Sequence, residues 1–214
     1  MQEGWSVVVP LKPLPRAKSR LTAAAGEAGR ALLALAFAED TVAAVVNCAA
    51  VRDVTVVTDD ALAAERLARL GVRVVPDLPE GGLNAALEHG ARQVRAGNPA
   101  AAVAAVNADL PALRAAELAR VLDAAAGHRR SFLADAAGVG TTLLAAGPGT
   151  ALGAAFGGAS RSRHRASGAV ELTLAGVHGA RQDVDTGEDL LRALALGVGP
   201  RTAETLRTSA ALRR

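Results

Sequence analysis

The segment Trp5-Ser6-Val7-Val8-Val9-Pro10-Leu11-Lys12-Pro13-Leu14-Pro15-Arg16-Ala17-Lys18-Ser19-Arg20-Leu21 joins a short β-branched run to a proline-stiffened cationic loop, and an Ala/Leu-rich helical stretch follows. The unit recurs. Apolar runs at residues 6–9, 54–57, 72–75 and 103–106 read as strands, separated by helical stretches near 28–46, 61–70, 83–95 and 115–126. Continuous apolar strands with helical crossovers predict an α/β fold of three layers, a mostly parallel sheet covered on both faces. In such sheets ligands collect beyond the carboxyl ends of the strands, so the residues just after each strand are the ones to inspect.

After about residue 130 the rhythm changes. Short runs at 132–134, 141–145 and 170–174, with a Gly-rich stretch between, predict a β-hairpin flap over the sheet edge and a returning strand. A closing helix is expected from Gly187. Residues 1–200 thus read as a single domain and 201–214 as a frayed basic C-terminal tail without a role.

Composition narrows the function. Half of the 214 residues are apolar, mostly Ala, Leu and Val, with three Phe, one Trp and no Tyr. Stacking platforms for single strands are therefore lacking, and a net charge of +3 is modest, so nucleic acid is not the expected partner. The lone Cys48 allows no intramolecular disulfide and reads as a small buried hydrophobe. No apolar run suits a bilayer span and the N-terminus lacks a leader pattern, so a cytoplasmic protein without a membrane partner is expected.

Only two lysines occur, Lys12 and Lys18, both in the first loop, while the other 22 basic residues are arginine. An ε-ammonium is a compact charge suited to polyphosphate oxygens, whereas guanidinium prefers a planar bidentate partner. The loop reads either as a triphosphate cradle or as solvated charge. It is neither a Walker A loop nor a Gly-x-Gly-x-x-Gly turn. The fourth strand leads into Asn107-Ala108-Asp109-Leu110-Pro111, and a later segment reads Asp183-Val184-Asp185. Hard carboxylate oxygens suit Mg²⁺, and residues i and i+2 of an extended segment share a side. Asp185-Thr186-Gly187-Glu188-Asp189 also reads as a helix cap, so Asp185 keeps two readings.

Arg161, Arg163, His164 and Arg165 beside Gly157, Gly158 and Ser160 offer a second anion site, or simply a basic helix face with Ser160 as its N-cap. Thr58, Asp59, Asp77 and Asn84 follow strands or open helices; Thr58 and Asn84 are nucleotide candidates, Asn84 toward base or ribose, or ordinary turn and cap residues. The four histidines have no metal-ligand spacing, and no Ser/His/Asp or Cys/His set suggests itself. A phosphate-oxygen nucleophile is already anionic and needs no general base. Positioning, Mg²⁺ and lysine would then suffice for nucleotidyl transfer.

Lys12 with Ala17-Lys18-Ser19-Arg20-Leu21, then Asp109-Leu110-Pro111, Phe156-Gly157 with Ser160 and Arg163-His164-Arg165, Ser167-Gly168-Ala169-Val170-Glu171-Leu172, and Asp183-Val184-Asp185-Thr186 occur in this order. In this combination the chain resembles the 2-phospho-L-lactate guanylyltransferases, whose actinobacterial-type members take phosphoenolpyruvate and feed synthesis of the deazaflavin coenzyme F-420. The resemblance implies a nucleotide-diphospho-sugar transferase-like (Rossmann-like) fold. It implies reaction of GTP with a phosphorylated three-carbon acid, releasing pyrophosphate. Carried over, it puts the triphosphate on Lys12, Lys18 and Arg20, with Lys12, Lys18 and Asp109 catalytic. Mg²⁺ falls to Asp109 and Asp183, with Asp185 as a further candidate. The acceptor falls to Thr141, Gly157 and Ser160 with Arg163 and His164 nearby, and Asn84 lies close to the nucleotide. Ala108 replaces the usual Gly before Asp109, and Gly158-Ala159 replaces Pro-Asp before Ser160, changes that bear on acceptor choice. Other readings are a transferase of the same fold acting on a sugar phosphate or molybdopterin, and a non-catalytic nucleotide sensor. A downstream transferase that takes over the product is a candidate partner.

Overall fold

The structure, a computed structural model, describes residues 4–14, 22–78 and 81–211. Lys18 and Arg20 lie outside the described residues. Strand β1 (Trp5–Pro10) leads to helix α1 (Thr22–Val46), β2 (Val51–Val57), α2 (Ala61–Ala68), β3 (Arg73–Val75), α3 (Gly82–Gly97), β4 (Val103–Val106) and α4 (Ala115–Ala125). Then follow β5 (Arg130–Ala134), β6 (Thr141–Ala146), α5 (Ser160–Ala166), β7 (Val170–Glu171), α6 (His178–Arg181), α7 (Gly187–Leu196) and α8 (Pro200–Ala211).

The strands form one sheet in the order β3-β2-β1-β4-β6-β5-β7, in which β6 alone runs against the rest. Period-two alternation divides β1 between the two faces. Val7 and Val9 pack with Leu35, Val42 and Leu122 of α1 and α4, while Val8 packs with Leu87, Ala91 and Val94 of α3. Gly90 permits that close approach, because a Cβ there would lie 2.4 Å from a Val8 methyl carbon.

The predicted hairpin forms, but within the sheet rather than over its edge. β6 pairs with β4 through Ala104↔Ala145 and with β5 through Phe132↔Leu144. All six residues of β6 are buried, and a strand buried on both faces needs cover on both, which an edge flap does not give. Residues 201–211 of the expected tail instead belong to helix α8. Pro200 opens α8 at the position where a missing N–H costs nothing, and the buried Asp40 carboxylate accepts from Arg201 N (3.0 Å) and Thr202 N (2.8 Å). Leu206 of α8 joins Leu33, Phe37 and Leu190, so the side of α1 turned from the sheet is also covered.

One turn of α1 ties three elements together. Glu39 receives Arg66 of α2 at 2.8 Å, Asp40 caps α8, and Thr41 Oγ1 accepts from Leu110 N at 3.0 Å. Among the described residues no helix is long and apolar enough to cross a membrane.

Candidate functional site

A cleft of about 660 Å³ opens at the carboxyl edge of β1 and β4, where β6 enters the sheet from the opposite direction. Seven predicted residues share its wall: Lys12, Asp109, Thr141, Gly157, Ser160, Asp183 and Asp185.

On the β1 side, Leu11 N extends the ladder to Val57 O (2.9 Å) and sets the exit of the lysine loop. Asp60 then fixes the loop: one carboxylate oxygen accepts from Leu14 N (2.8 Å), while the other caps α2 through Ala63 N (3.0 Å). Thr58 is buried and its hydroxyl accepts from Asp60 N, so it supports this turn and does not line the cleft.

The acidic wall is built from two chain segments. Leu110 N on Thr41 holds the turn carrying Asp109, and Val184 N donates to Asp109 O at 3.1 Å. Val184 is fully buried, so its neighbours Asp183 and Asp185 project together from the other side of the extended segment. Helix α7 begins just beyond with Thr186 as N-cap and Asp189 completing a capping box, which relieves Asp185 of the cap role. The approach of α6 completes the wall: Glu117 receives Gly179 N and Ala180 N, and a Cβ on Gly179 would sit 2.1 Å from Ala112 O.

Among the described residues no group of three or more His, Cys, Asp or Glu side chains could hold a metal ion by itself. Two carboxylates with substrate phosphates and water are nevertheless the donor set that suits Mg²⁺, which retains water and seldom takes an all-protein cage.

The opposite wall is made by the β5–β6 turn and the loop before α5. Asp135 accepts from Val139 N and Gly140 N, both at 2.8 Å, and so shapes the approach to Thr141. Asn84 brackets Phe156, accepting from its N–H (2.7 Å) and donating to its carbonyl (3.2 Å). The Arg163 guanidinium donates to the carbonyls of Ala155 and Gly157. His164 lies fully buried behind Thr141, 2.9 Å from its hydroxyl. Thus Asn84, Arg163 and His164 brace the wall from behind and do not line the cleft. Ser160 is the first residue of α5, not its N-cap, which is Ala159, and the buried Ser160 hydroxyl at the wall has no hydrogen-bond partner among the described residues.

Electrostatics keep the bracing groups fixed. Burial, then the Arg130 and Arg163 charges, lowers the His164 pKa to about 4, so its ring is neutral at physiological pH. Burial alone would raise the Glu171 carboxyl, but hydrogen bonds from Arg161 and Arg165 outweigh it and hold the group below its ordinary value. Those two arginines are thus committed to Glu171. Asp135 and Asn107 also line the cleft and were not singled out from sequence. The Asp135-to-Gly140 spacing, an acid followed by glycines between two strands, is the turn signal that marks Asp135.

Comparison with known proteins bears on fold and family. The model of the family described as guanylyl transferase CofC like matches residues 5–211. The phosphoenolpyruvate guanylyltransferase of Streptomyces avermitilis is 67% identical over 199 residues, covering 93% of this chain and 92% of its own. That of Streptomyces coelicolor is 66% identical, with coverage of 93% and 94%. Among solved structures, a Desulfovibrio desulfuricans G20 protein assigned to the nucleotide-diphospho-sugar transferases superposes with a TM-score of 0.71 at 18% identity, covering 99% of this chain and 97% of that one. The expected three-layer architecture is therefore the one adopted, and with 207 consecutive positions matched, the chain belongs to the CofC-like guanylyl transferase family.

Proposed function

We propose that this enzyme transfers GMP from GTP to the phosphate of phosphoenolpyruvate, releasing pyrophosphate, as a step of coenzyme F-420 synthesis. One observation carries the reading: Lys12, Asp109, Asp183, Asp185 and the Thr141 and Ser160 hydroxyls line a single cleft at the ligand edge of the sheet. That cleft has a cationic approach for a triphosphate and, on the wall that also carries Asp135, the Thr141 and Ser160 hydroxyls for a second, smaller ligand. The names of relatives at 67% and 66% identity supply the acceptor.

On this reading an acceptor phosphate oxygen attacks the GTP α-phosphorus, the new P–O bond forms, and the bond to the β-phosphate bridge breaks. Lys12, held by the Leu11 and Leu14 backbone bonds, neutralises charge on the phosphates, and Lys18 and Arg20 extend this cradle. Asp109 and Asp183 would hold Mg²⁺, with Asp185 alongside; the ion would neutralise the charge that develops on the leaving pyrophosphate. A related fold from Mycobacterium tuberculosis, 21% identical with a TM-score of 0.54, was solved in complex with manganese, which supports divalent-metal use here. Thr141, Gly157 and Ser160 orient the acceptor. Thr58, Asn84 and Arg163 act through the loops they brace. With GTP as donor the enzyme works in the cytoplasm.

The test is pyrophosphate release from GTP and Mg²⁺ with phosphoenolpyruvate, 2-phospho-L-lactate or 3-phosphoglycerate offered separately, and with ATP and CTP in place of GTP. Release with GTP and phosphoenolpyruvate, abolished by Asp109→Asn in a folded protein, is expected. No release with any of the three acceptors, despite GTP binding, would overturn the reading in favour of a sensor.

A further inference from the structure

His164 is enclosed on every side. Its ring meets Phe156 edge-on at 5.2 Å between centroids and lies tilted against Phe132 at 5.7 Å. Both nitrogens are used. Ala155 N–H donates to Nε2 at 3.0 Å, and an amide N–H can only donate, so Nε2 carries the lone pair. A neutral imidazole has one ring proton, which must then sit on Nδ1. The 2.9 Å contact with Thr141 is therefore Nδ1–H donating to Oγ1.

This fixes what Thr141 offers the cleft. A hydroxyl has one proton and two acceptor lone pairs, and His164 fills one of the pairs. Among the described residues no protein group accepts the Thr141 proton, while the side chain lines the cleft. The neighbouring Ser160 hydroxyl is also without a protein partner. We infer that His164 is a positioning residue: by donating from Nδ1 it turns Thr141 into an outward hydrogen-bond donor, so the wall selects an unprotonated oxyanion at this position. The chain thus meets the acceptor here with hydroxyl donors, beside the Asp135 carboxylate that lines the same cleft, and the nearby arginines serve the loops. The inference rests on the acceptor site proposed above.

The experiment separates donor from acceptor in the ring. In His164→Gln the side-chain amide reaches the place of Nε2 and can still receive Ala155 N–H, but nothing donates to Thr141. In His164→Asn the amide N–H takes the place of Nδ1 and keeps that donation. With phosphoenolpyruvate and GTP as substrates, Thr141→Val and His164→Gln should each raise the phosphoenolpyruvate KM about tenfold while leaving the GTP KM within about twofold. The double variant should be no worse than Thr141→Val alone. His164→Asn should recover most of the loss.

An unchanged KM in Thr141→Val would overturn the acceptor site and this inference with it. A raised KM in Thr141→Val with none in His164→Gln, or fully additive effects, would overturn the inference alone. Nitrogen-15 spectra of the wild-type imidazoles, with the His164 signals assigned by their loss in His164→Asn, give a reading that does not depend on activity. A proton on Nδ1 is expected, and one on Nε2 would overturn the inference.

Discussion

Replacing Gly179 by alanine adds one methyl group at the point where α6 meets the turn after β4. The new Cβ would lie 2.1 Å from Ala112 O and 2.7 Å from a Glu117 carboxylate oxygen. Ordinary contact begins near 3.4 Å, and although the Glu117 carboxylate can swing aside, Ala112 O and C are backbone, so the two backbones must separate by about 1 Å. Forced separation of packed elements costs about 1–3 kcal/mol, which for a chain of this size lowers Tm by roughly 2–4 °C per kcal/mol. The displacement also reaches the site. Ala112 follows Asp109 in one turn, and Asp183 follows α6 directly, so the shift opens the acidic wall at the place where the two segments are joined by Val184 N to Asp109 O. A 1 Å misplacement of reacting groups can cost about 100-fold in rate, so kcat should fall by that order alongside the loss of Tm. Thermal unfolding and pyrophosphate release on the same preparations measure both. Gly97→Ala is the control, for no atom lies within 4 Å of its Cβ and the position ends a helix, so stability should hold or rise by about 0.5 kcal/mol. A Gly179→Ala protein with wild-type Tm would refute the packing argument, and one with lowered Tm but wild-type kcat would refute the transmission to the carboxylates.

Asp60→Ala removes the α2 cap and orphans Leu14 N, so urea unfolding should show a loss of about 1–2 kcal/mol and kinetics a rise in GTP KM that exceeds any change for the acceptor. Equal changes in both KM values would separate the lysine loop from the nucleotide. Asp40→Ala should cost about 2–3 kcal/mol by leaving Arg201 N and Thr202 N uncapped. Because a Cβ on Gly199 would lie 2.3 Å from the Asp40 carboxyl carbon and 2.7 Å from its Cβ, which alanine keeps, Gly199→Ala should destabilise Asp40→Ala less than the wild type, and additive losses would exclude that coupling. Stability should also fall on acidification: unfolded His164 takes up its proton near pH 6.5 and the folded residue only near about 4, so the unfolded state binds more protons throughout that window. The loss is complete below about pH 4 and amounts to roughly 3 kcal/mol. Comparing urea midpoints of wild type and His164→Asn at about pH 7 and about pH 4.5 tests it, and equal slopes would remove His164 as the cause.

The sequence carried the sheet through its β-branched runs, since a strand buried on both faces has little room for polar residues. β4 occupies the predicted residues 103–106, whereas β7 covers only Val170–Glu171 of the predicted 170–174, with Leu172 N–H still bonded to Phe132 O just beyond it. What local pattern could not give was pairing. Whether the run beginning at Thr141 lies beside β4 or over an edge depends on partners far along the chain, and α8 is anchored by Asp40, 161 positions before Arg201. The acidic pair within the otherwise apolar run of α1 was the available hint, since buried carboxylates need partners. The same limit explains the site. Residue types pointed to Lys12, Asp109, Asp183 and Asp185, the family resemblance added Thr141, Gly157 and Ser160 as acceptor residues, and all seven line the cleft. Which polar groups face the cleft and which hold its walls is settled by hydrogen bonds that no spacing encodes, as with Asn84 on Phe156 and Arg163 on Ala155.

The reversed direction of β6 has an evolutionary consequence. The half of the sheet formed by β3, β2, β1 and β4 carries Lys12 and Asp109, the half formed by β6, β5 and β7 brings Thr141 and the loop leading to Ser160, and the strands of the two halves join only along β4 and β6. Because β6 enters at the ligand edge, substitutions in its turn or in the loop after it can retune the second substrate without disturbing the strands that present Lys12 and Asp109. Descent within this fold can thus diversify one partner of the reaction while inheriting the other unchanged.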